Sequence, residues 1–181
     1  MSPTADTSVR VAWADDAPAI AAVQLRLWQE QYADLLPPEV VDAWRAEQFA
    51  EQWRRALGRP ADARQRVLVA LERARVTGFV ITAPADDPDC DPVADGQLDE
   101  LNVDPAERGR GHGSRLLQAA VDTMASDRFT RAVCWLNSDD DARRAFLTST
   151  GWAADGAHRE LDLAGDGTLL VKQVRLHTAL A

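Results

Sequence analysis

The residues best placed to do chemistry lie in one stretch, Asp99 to Met124, DELNVDPAERGRGHGSRLLQAAVDTM. At its centre Gly109, Gly111 and Gly113 alternate with Arg110 and His112, directly before Leu116, Leu117, Ala120, Val121 and Met124 at helical spacing. Glycine tolerates positive φ and lets backbone come close to a ligand. A glycine-rich turn that opens a helix exposes N–H groups with no intrahelical acceptor, and the helix dipole adds partial positive charge there. Such a turn is an anion site. Arg108 and Arg110 flank it and can add charge-assisted bonds to a phosphate; Arg115 lies nearby.

Known phosphate-binding patterns narrow the reading. A P-loop needs G-x-x-x-x-G-K-[ST], and this stretch has no lysine. A dinucleotide fingerprint needs G-x-G-x-x-G. Here Ser114 stands at the third glycine position, and DPAER separates the preceding strand from the turn, too long for that tight connection. A helix cap without a ligand needs only one glycine, and three cost backbone entropy.

The stretch Val103-Asp104-Pro105-Ala106-Glu107-Arg108-Gly109-Arg110-Gly111-His112-Gly113 resembles the hallmark V-x-P-x-x-[RQ]-x-x-G-x-[GA] of the GNAT superfamily of N-acetyltransferases, at every fixed position. His112 departs from the apolar residue the family mostly has there. WQEQYADLLPPEVV looks like the family's two acceptor-side helices, RAFLTSTGW like its A-x-x-F-Y-x-x-x-G-F segment, and DGAHRELDL and VKQVRLHTAL like its last two strands, so the resemblance spans roughly residues 8 to 178. It implies a GNAT fold and acetyl-CoA as co-substrate. The backbone of Arg108, Gly109, Arg110, Gly111, His112, Gly113 and Ser114 would hold the pyrophosphate. The strand through Leu101, Asn102 and Val103 would pair with the pantetheine arm and acyl group. Asp140 stands where the family often has a CoA-side Asn; it can accept from an amide of the arm but repels phosphate.

Acetyl transfer to an amine needs a neutral amine, donors for the developing oxyanion and an exit for the thiolate. Several members of the resembled family carry a Glu base on the strand before the turn. Counting back from Arg108, that position is Gln97, which can hold a water but is no base. Glu100 is the expected base, if a bulge turns it toward the cleft; the bland reading leaves Asp99 and Glu100 as solvated edge charges. The family's usual acid, a Tyr after Phe, is Leu147 here. A thiol is acidic enough to leave unaided near neutrality. The expected function is therefore acetyl-CoA-dependent transfer to a primary amine by direct attack in a ternary complex. The alternative is a non-catalytic acyl-CoA-binding or regulatory module.

The elements that must position these residues follow from the rest of the chain. Val9 to Trp13 reads as a strand. A helix capped by Asp15 or Asp16, with Pro18 in its first turn, runs to about Ala33 and carries Ile20, Val23, Leu27 and Tyr32 on one stripe. Pro37-Pro38 breaks it. A second helix, EVVDAWRAEQFAEQWRRAL, aligns Val40, Trp44, Phe49 and Trp53 and ends at Gly58. RVLVALERARVTGFVITAP is two strands around a turn near Arg73 to Arg75, followed by an acidic loop and the strand QLDELNV. After the glycine turn come a helix from Gly111 to Ala125, the strand RAVCWL, a helix closed by Gly151, and a hairpin around AGDGT. The order β-α-α-β-β-β-α-β-α-β-β predicts an α/β protein, a central mixed β-sheet flanked by helices, in one domain over 1–181.

Composition bounds the partners. The 181 residues are 46% hydrophobic, enough for one sizeable core, with no apolar run long enough to span a membrane. A net charge of -9 disfavours nucleic acid and anionic membrane. The N-terminus shows no basic and apolar leader, and Cys90 and Cys134 suggest no disulfide framework, so the cytoplasm is expected. DDPDCDP hints at calcium but has Pro92 and Leu98 where an EF-hand needs Gly and Glu, so a solvated loop is expected. His158 and His177 stand without partners at ligand spacing, and no metal is expected. Trp28, Tyr32, Trp44 and Trp53 should be mostly core, with one or two lining an acceptor pocket. The acceptor is a small-molecule or peptide amine, and a homodimer is compatible with the resemblance.

Overall fold

A computed structural model describes residues 6–181; the reading of the N-terminus falls partly on 1–5, outside the described residues. Seven strands form one sheet in the order β1-β2-β3-β4-β5-β7-β6. In chain order they are β1 (Thr7–Val11), β2 (Arg66–Glu72), β3 (Arg75–Pro84), β4 (Asp95–Val103), β5 (Arg131–Asn137), β6 (Ala153–Asp162) and β7 (Leu170–Ala179). The helices are α1 (Ala17–Tyr32), α2 (Pro38–Val41), α3 (Ala46–Gly58), α4 (His112–Ser126) and α5 (Asp141–Ser149). The mixed sheet and its flanking helices agree with the expected order, except that α2 stands apart from α3 and short 3-10 turns precede α1 and follow β4. Two compact units divide the chain: residues 1–82 with 100–123, and 83–99 with 124–181.

In the first unit β1 pairs antiparallel with β2, and β2 with β3. The β2–β3 turn puts Arg73 and Ala74 at φ +50° and +67°, the two positive angles a two-residue hairpin needs, and does so without glycine. The Arg73 N–H donates to the Asp6 carbonyl at 2.8 Å, which helps hold that turn. Ile20 and Val23 from α1, Phe49 and Trp53 from α3, and Val69 and Phe79 from the sheet form one apolar core. Burying each such side chain is worth about 1.5–3 kcal/mol. The long second helix read from sequence is interrupted. Arg45 is extended, at φ −129° and ψ 138°, and caps α3. Its N–H donates to Gln48 Oε1, while its guanidinium donates to the carbonyls of Asp42 and Trp44 at 2.6 and 2.9 Å. Those local bonds compete with continuous helix. Asp16 precedes α1 but does not cap it with its side chain. Its carboxylate instead takes the Trp13 N–H and the Arg10 guanidinium.

In the second unit β5 lies between β4, parallel to it, and β7, antiparallel to it. The β6–β7 pairing is irregular between Ala154 and His158, where Gly156 takes φ +91°. Leu98, Met124, Phe129, Val133, Leu147 and Leu176 are all buried. A side chain at Gly96 would meet Met124 and Phe129 at 2.9 and 3.0 Å, so only glycine fits there.

Candidate functional site

In the glycine turn, Gly109 and Gly111 take φ +75° and +81°, a region that strains other L residues. Gly113 already lies in the first turn of α4. Among the described residues the backbone N–H groups of Arg108 through Ser114 have no hydrogen-bond acceptor; the first bonded one is Arg115 N–H, to the Gly111 carbonyl at 3.1 Å. Consecutive unpaired N–H groups at a helix N-terminus form a concave donor surface for an anion.

The arginines divide differently from the sequence expectation. Arg108 pairs with Glu30 at 2.6 Å, both half exposed. Arg110 bridges Glu72 and Glu107. Arg115, which carried no role in the sequence reading, reaches back one turn: its Nη1 donates to the Arg110 carbonyl at 3.2 Å. A Cβ built on Gly111 would sit 3.3 Å from that Nη1. Among the described residues Arg115 makes no ion pair, so its charge stands open beside the turn. The spacing of one helical turn from Gly111 was the signal available in sequence.

An ion network supports the turn from below. Asp104 is buried and accepts from the Arg26 guanidinium and the Ala106 N–H. Burial pushes its carboxyl up, but those two bonds together hold it below the usual range. Glu107, also buried, is held low by Arg75 first and then Arg110. His112, 1% exposed, faces Glu72 through Nε2 at 3.2 Å, and its Nδ1 has no partner. A polar pair thus occupies the position where the resembled family mostly has an apolar side chain.

On β4, parallel pairing with β5 runs from Asp95↔Arg131 to Gln97↔Val133 and is not continued, although β5 stays paired with β7 as far as Asn137. Just past that point Glu100 takes φ +51°, a strained angle for a non-glycine residue inside a strand. The irregularity sought at Glu100 is therefore present. Its carboxylate is exposed and accepts from Asn102 Nδ2 at 2.7 Å. Leu101 is buried, and Asn102 and Val103 are half-buried. Gln97 is buried; its Nε2 donates to Asp99 at 2.8 Å and its Oε1 is left without a partner. A buried orphan acceptor of this kind suits an ordered water. Asp140 is engaged otherwise: it caps α5, with Oδ1 accepting from the Arg143 N–H at 3.0 Å. Leu147 on α5 is fully buried in the core.

In the first unit, Trp28, Tyr32 and Trp44 meet edge to face, with ring centroids 5.8–5.9 Å apart. Trp53 is core, its Nε1 donating to Gln24 at 2.7 Å.

The acidic loop proves to be a cradle. Arg175 is 4% exposed and donates to Asp89, Asp87 and Asp155. Trp135 packs under Arg159 at 4.2 Å and gives its Nε1–H to Asp87. Sequence spacing offered no hint that residues 87, 89 and 155 would share one cation. Cys134 is buried, and burial pushes its thiol up to about 12, so it stays protonated and inert. No helix among the described residues is long and apolar enough to cross a membrane.

The model of the acetyltransferase (GNAT) family matches residues 24–152. No curated protein matches the chain. Solved structures share the fold. A ribosomal-protein-alanine N-acetyltransferase from Brucella melitensis is 19% identical with a TM-score of 0.72, over 96% of this chain and 99% of that one. The paia N-acetyltransferase from Thermoplasma acidophilum, in complex with coenzyme A, is 15% identical with a TM-score of 0.67, over 96% and 98%. The yncA structure from Salmonella typhimurium, with its cofactor acetyl-CoA, is 18% identical with a TM-score of 0.68, over 97% and 95%. With the family model spanning most of its length and the anion-binding turn inside the match, the chain belongs to the GNAT acetyltransferase family.

Proposed function

We propose that this protein is an N-acetyltransferase that takes acetyl-CoA as donor and a primary amine as acceptor. The observation that carries the reading is the run of N–H groups from Arg108 to Ser114, at the head of α4, that are unpaired among the described residues. It fits a pyrophosphate in charge and in donor number, and Arg115 adds an open positive charge. The part of β4 beyond its pairing with β5, through Leu101, Asn102 and Val103, fits an extended amide arm, which would add to it as a strand does.

Glu100 takes the proton from the acceptor amine. The strained backbone presents its carboxylate at the surface, and Asn102 holds it by one oxygen, leaving the other to accept. The amine nitrogen then attacks the thioester carbonyl. A C–N bond forms, the C–S bond breaks, the nitrogen gives up its second proton to solvent, and the sulfur leaves as thiolate, which a thiol's acidity permits near neutrality. Solvent water then carries the proton away from Glu100. Leu147 takes no part, because it is packed in the core. Asp140 serves α5 as a cap and leaves the pantetheine arm to β4.

Melting with acetyl-CoA, and with ATP as control, tests the reading. At about 100 times its dissociation constant a ligand adds about 2.7 kcal/mol, a rise of roughly 5–11 °C for a chain of this size. That rise, absent with ATP, is expected. No rise with millimolar acetyl-CoA removes the reading. A rise with acetyl-CoA but no turnover of any amine favours a non-catalytic acyl-CoA-binding module, the reading that the burial of Leu147 supports.

A further inference from the structure

The C-terminal half of α1, α2 and the start of α3 expose more apolar surface than a helical hairpin needs. Trp28, Tyr32 and Trp44 are only half-buried, and Leu35 and Val40 beyond them are 53% and 41% exposed. Phe49 backs Trp28 at 5.1 Å, so the triad is anchored on the core on one side and open on the other. The Tyr32 hydroxyl makes no hydrogen bond among the described residues. Burial first, and then the charge of Glu100, raise the Tyr32 phenol. Two ion pairs, Arg26–Asp104 and Arg108–Glu30, fasten α1, which carries Trp28 and Tyr32, to the chain that leaves β4 shortly after Glu100.

The charges around the rings are one-sided. Arg26 and Arg108 are paired with acids, and Arg45 folds back on two backbone carbonyls. Glu100 is an exposed carboxylate with only an amide partner. Aromatic faces and a carboxylate attract a cation and an apolar body together. A substrate carboxylate would find no open guanidinium here and would lie against Glu100.

We propose that the aromatic triad of Trp28, Tyr32 and Trp44, with Glu100, selects an acceptor whose primary amine is carried on an aromatic or bulky apolar body and has no carboxylate beside it. The proposal rests on the acetyltransferase reading and names its acceptor class. The ring body packs on Trp28 and Trp44, and the ammonium group meets Glu100, the group that later takes its proton.

The test is equilibrium binding to the full chain, read by tryptophan fluorescence, with three probes: 2-phenylethylamine, phenylalanine and ethylamine. The expected order puts 2-phenylethylamine about tenfold or more tighter than either of the others, since one ring contact or one like-charge clash is worth that much. Glu100→Gln narrows the gap to phenylalanine, and Trp44→Leu narrows the gap to ethylamine. Equal affinity within either pair of probes overturns the proposal, as does the absence of saturable 2-phenylethylamine binding. Because this titration needs no acetyl-CoA, its outcome is separate from the melting experiment that tests the donor site.

Discussion

In the Arg175 cluster every charge is answered: one buried guanidinium meets Asp87, Asp89 and Asp155, and Trp135 closes its flank. In the glycine turn the donors from Arg108 to Ser114 are unanswered among the described residues, where the arginine beside them also has no acid. Both regions are rich in charge, yet only the second has binding capacity left over. Buried charge that is fully paired holds a fold together, whereas donors that remain unpaired at a surface mark where something else binds.

The contrast can be broken at either end. The largest effect expected is from Arg175→Met, which leaves Asp155 without its cation and Asp87 with only Arg159, at 3.9 Å. Urea unfolding should show a loss of about 3–5 kcal/mol, with the acetyl-CoA shift retained in the surviving folded protein. A loss under about 1 kcal/mol would mean that water screens the cluster.

Next, Gly111→Val should abolish the rise in melting temperature with acetyl-CoA. The valine needs φ +81° and drives its Cβ onto the Arg115 guanidinium. An unchanged rise would sink the assignment of the turn. Arg115→Ala should weaken acetyl-CoA by about fivefold, with the loss shrinking at high salt, as an exposed charge-assisted bond does. Arg110→Ala should weaken it less, because that guanidinium already serves Glu72 and Glu107. Isothermal titration of both variants ranks them.

The smallest effect lies in acid. Arg175 holds the Asp89 carboxyl down at about 2, and it also helps hold Asp155 below its usual range. A depressed carboxyl stabilises the fold fully above its unfolded pKa, about 3.9, and loses that contribution as pH falls through the folded value. The melting temperature should therefore drop between about pH 4 and 2, and drop less steeply in Arg175→Met.

Much of this was legible because it is local. The anion-binding turn could be read from glycine spacing before an apolar helical run, since φ preference and helix ends are properties of a few neighbouring residues. The hairpins were legible for the same reason. The break between α2 and α3 was not, because the Arg45 guanidinium folding back on two carbonyls leaves no periodic trace in a stretch whose apolar residues still align. The acidic partners of Arg110 were not legible: Glu72 lies at the end of β2 and Glu107 in the turn after β4, and charge alone does not say which anion a guanidinium meets.

The sequence by itself determined the order of the strands and most helices, the helix that begins at the glycine turn and the family to which the chain belongs, because these rest on short-range periodicity and a contiguous motif. Only the tertiary structure decided which charges are already paired. Arg175 and Asp87 stand 88 residues apart, Arg26 and Asp104 stand 78 apart, and the side chain left open, Arg115, is known only by subtraction once those long-range pairs are made.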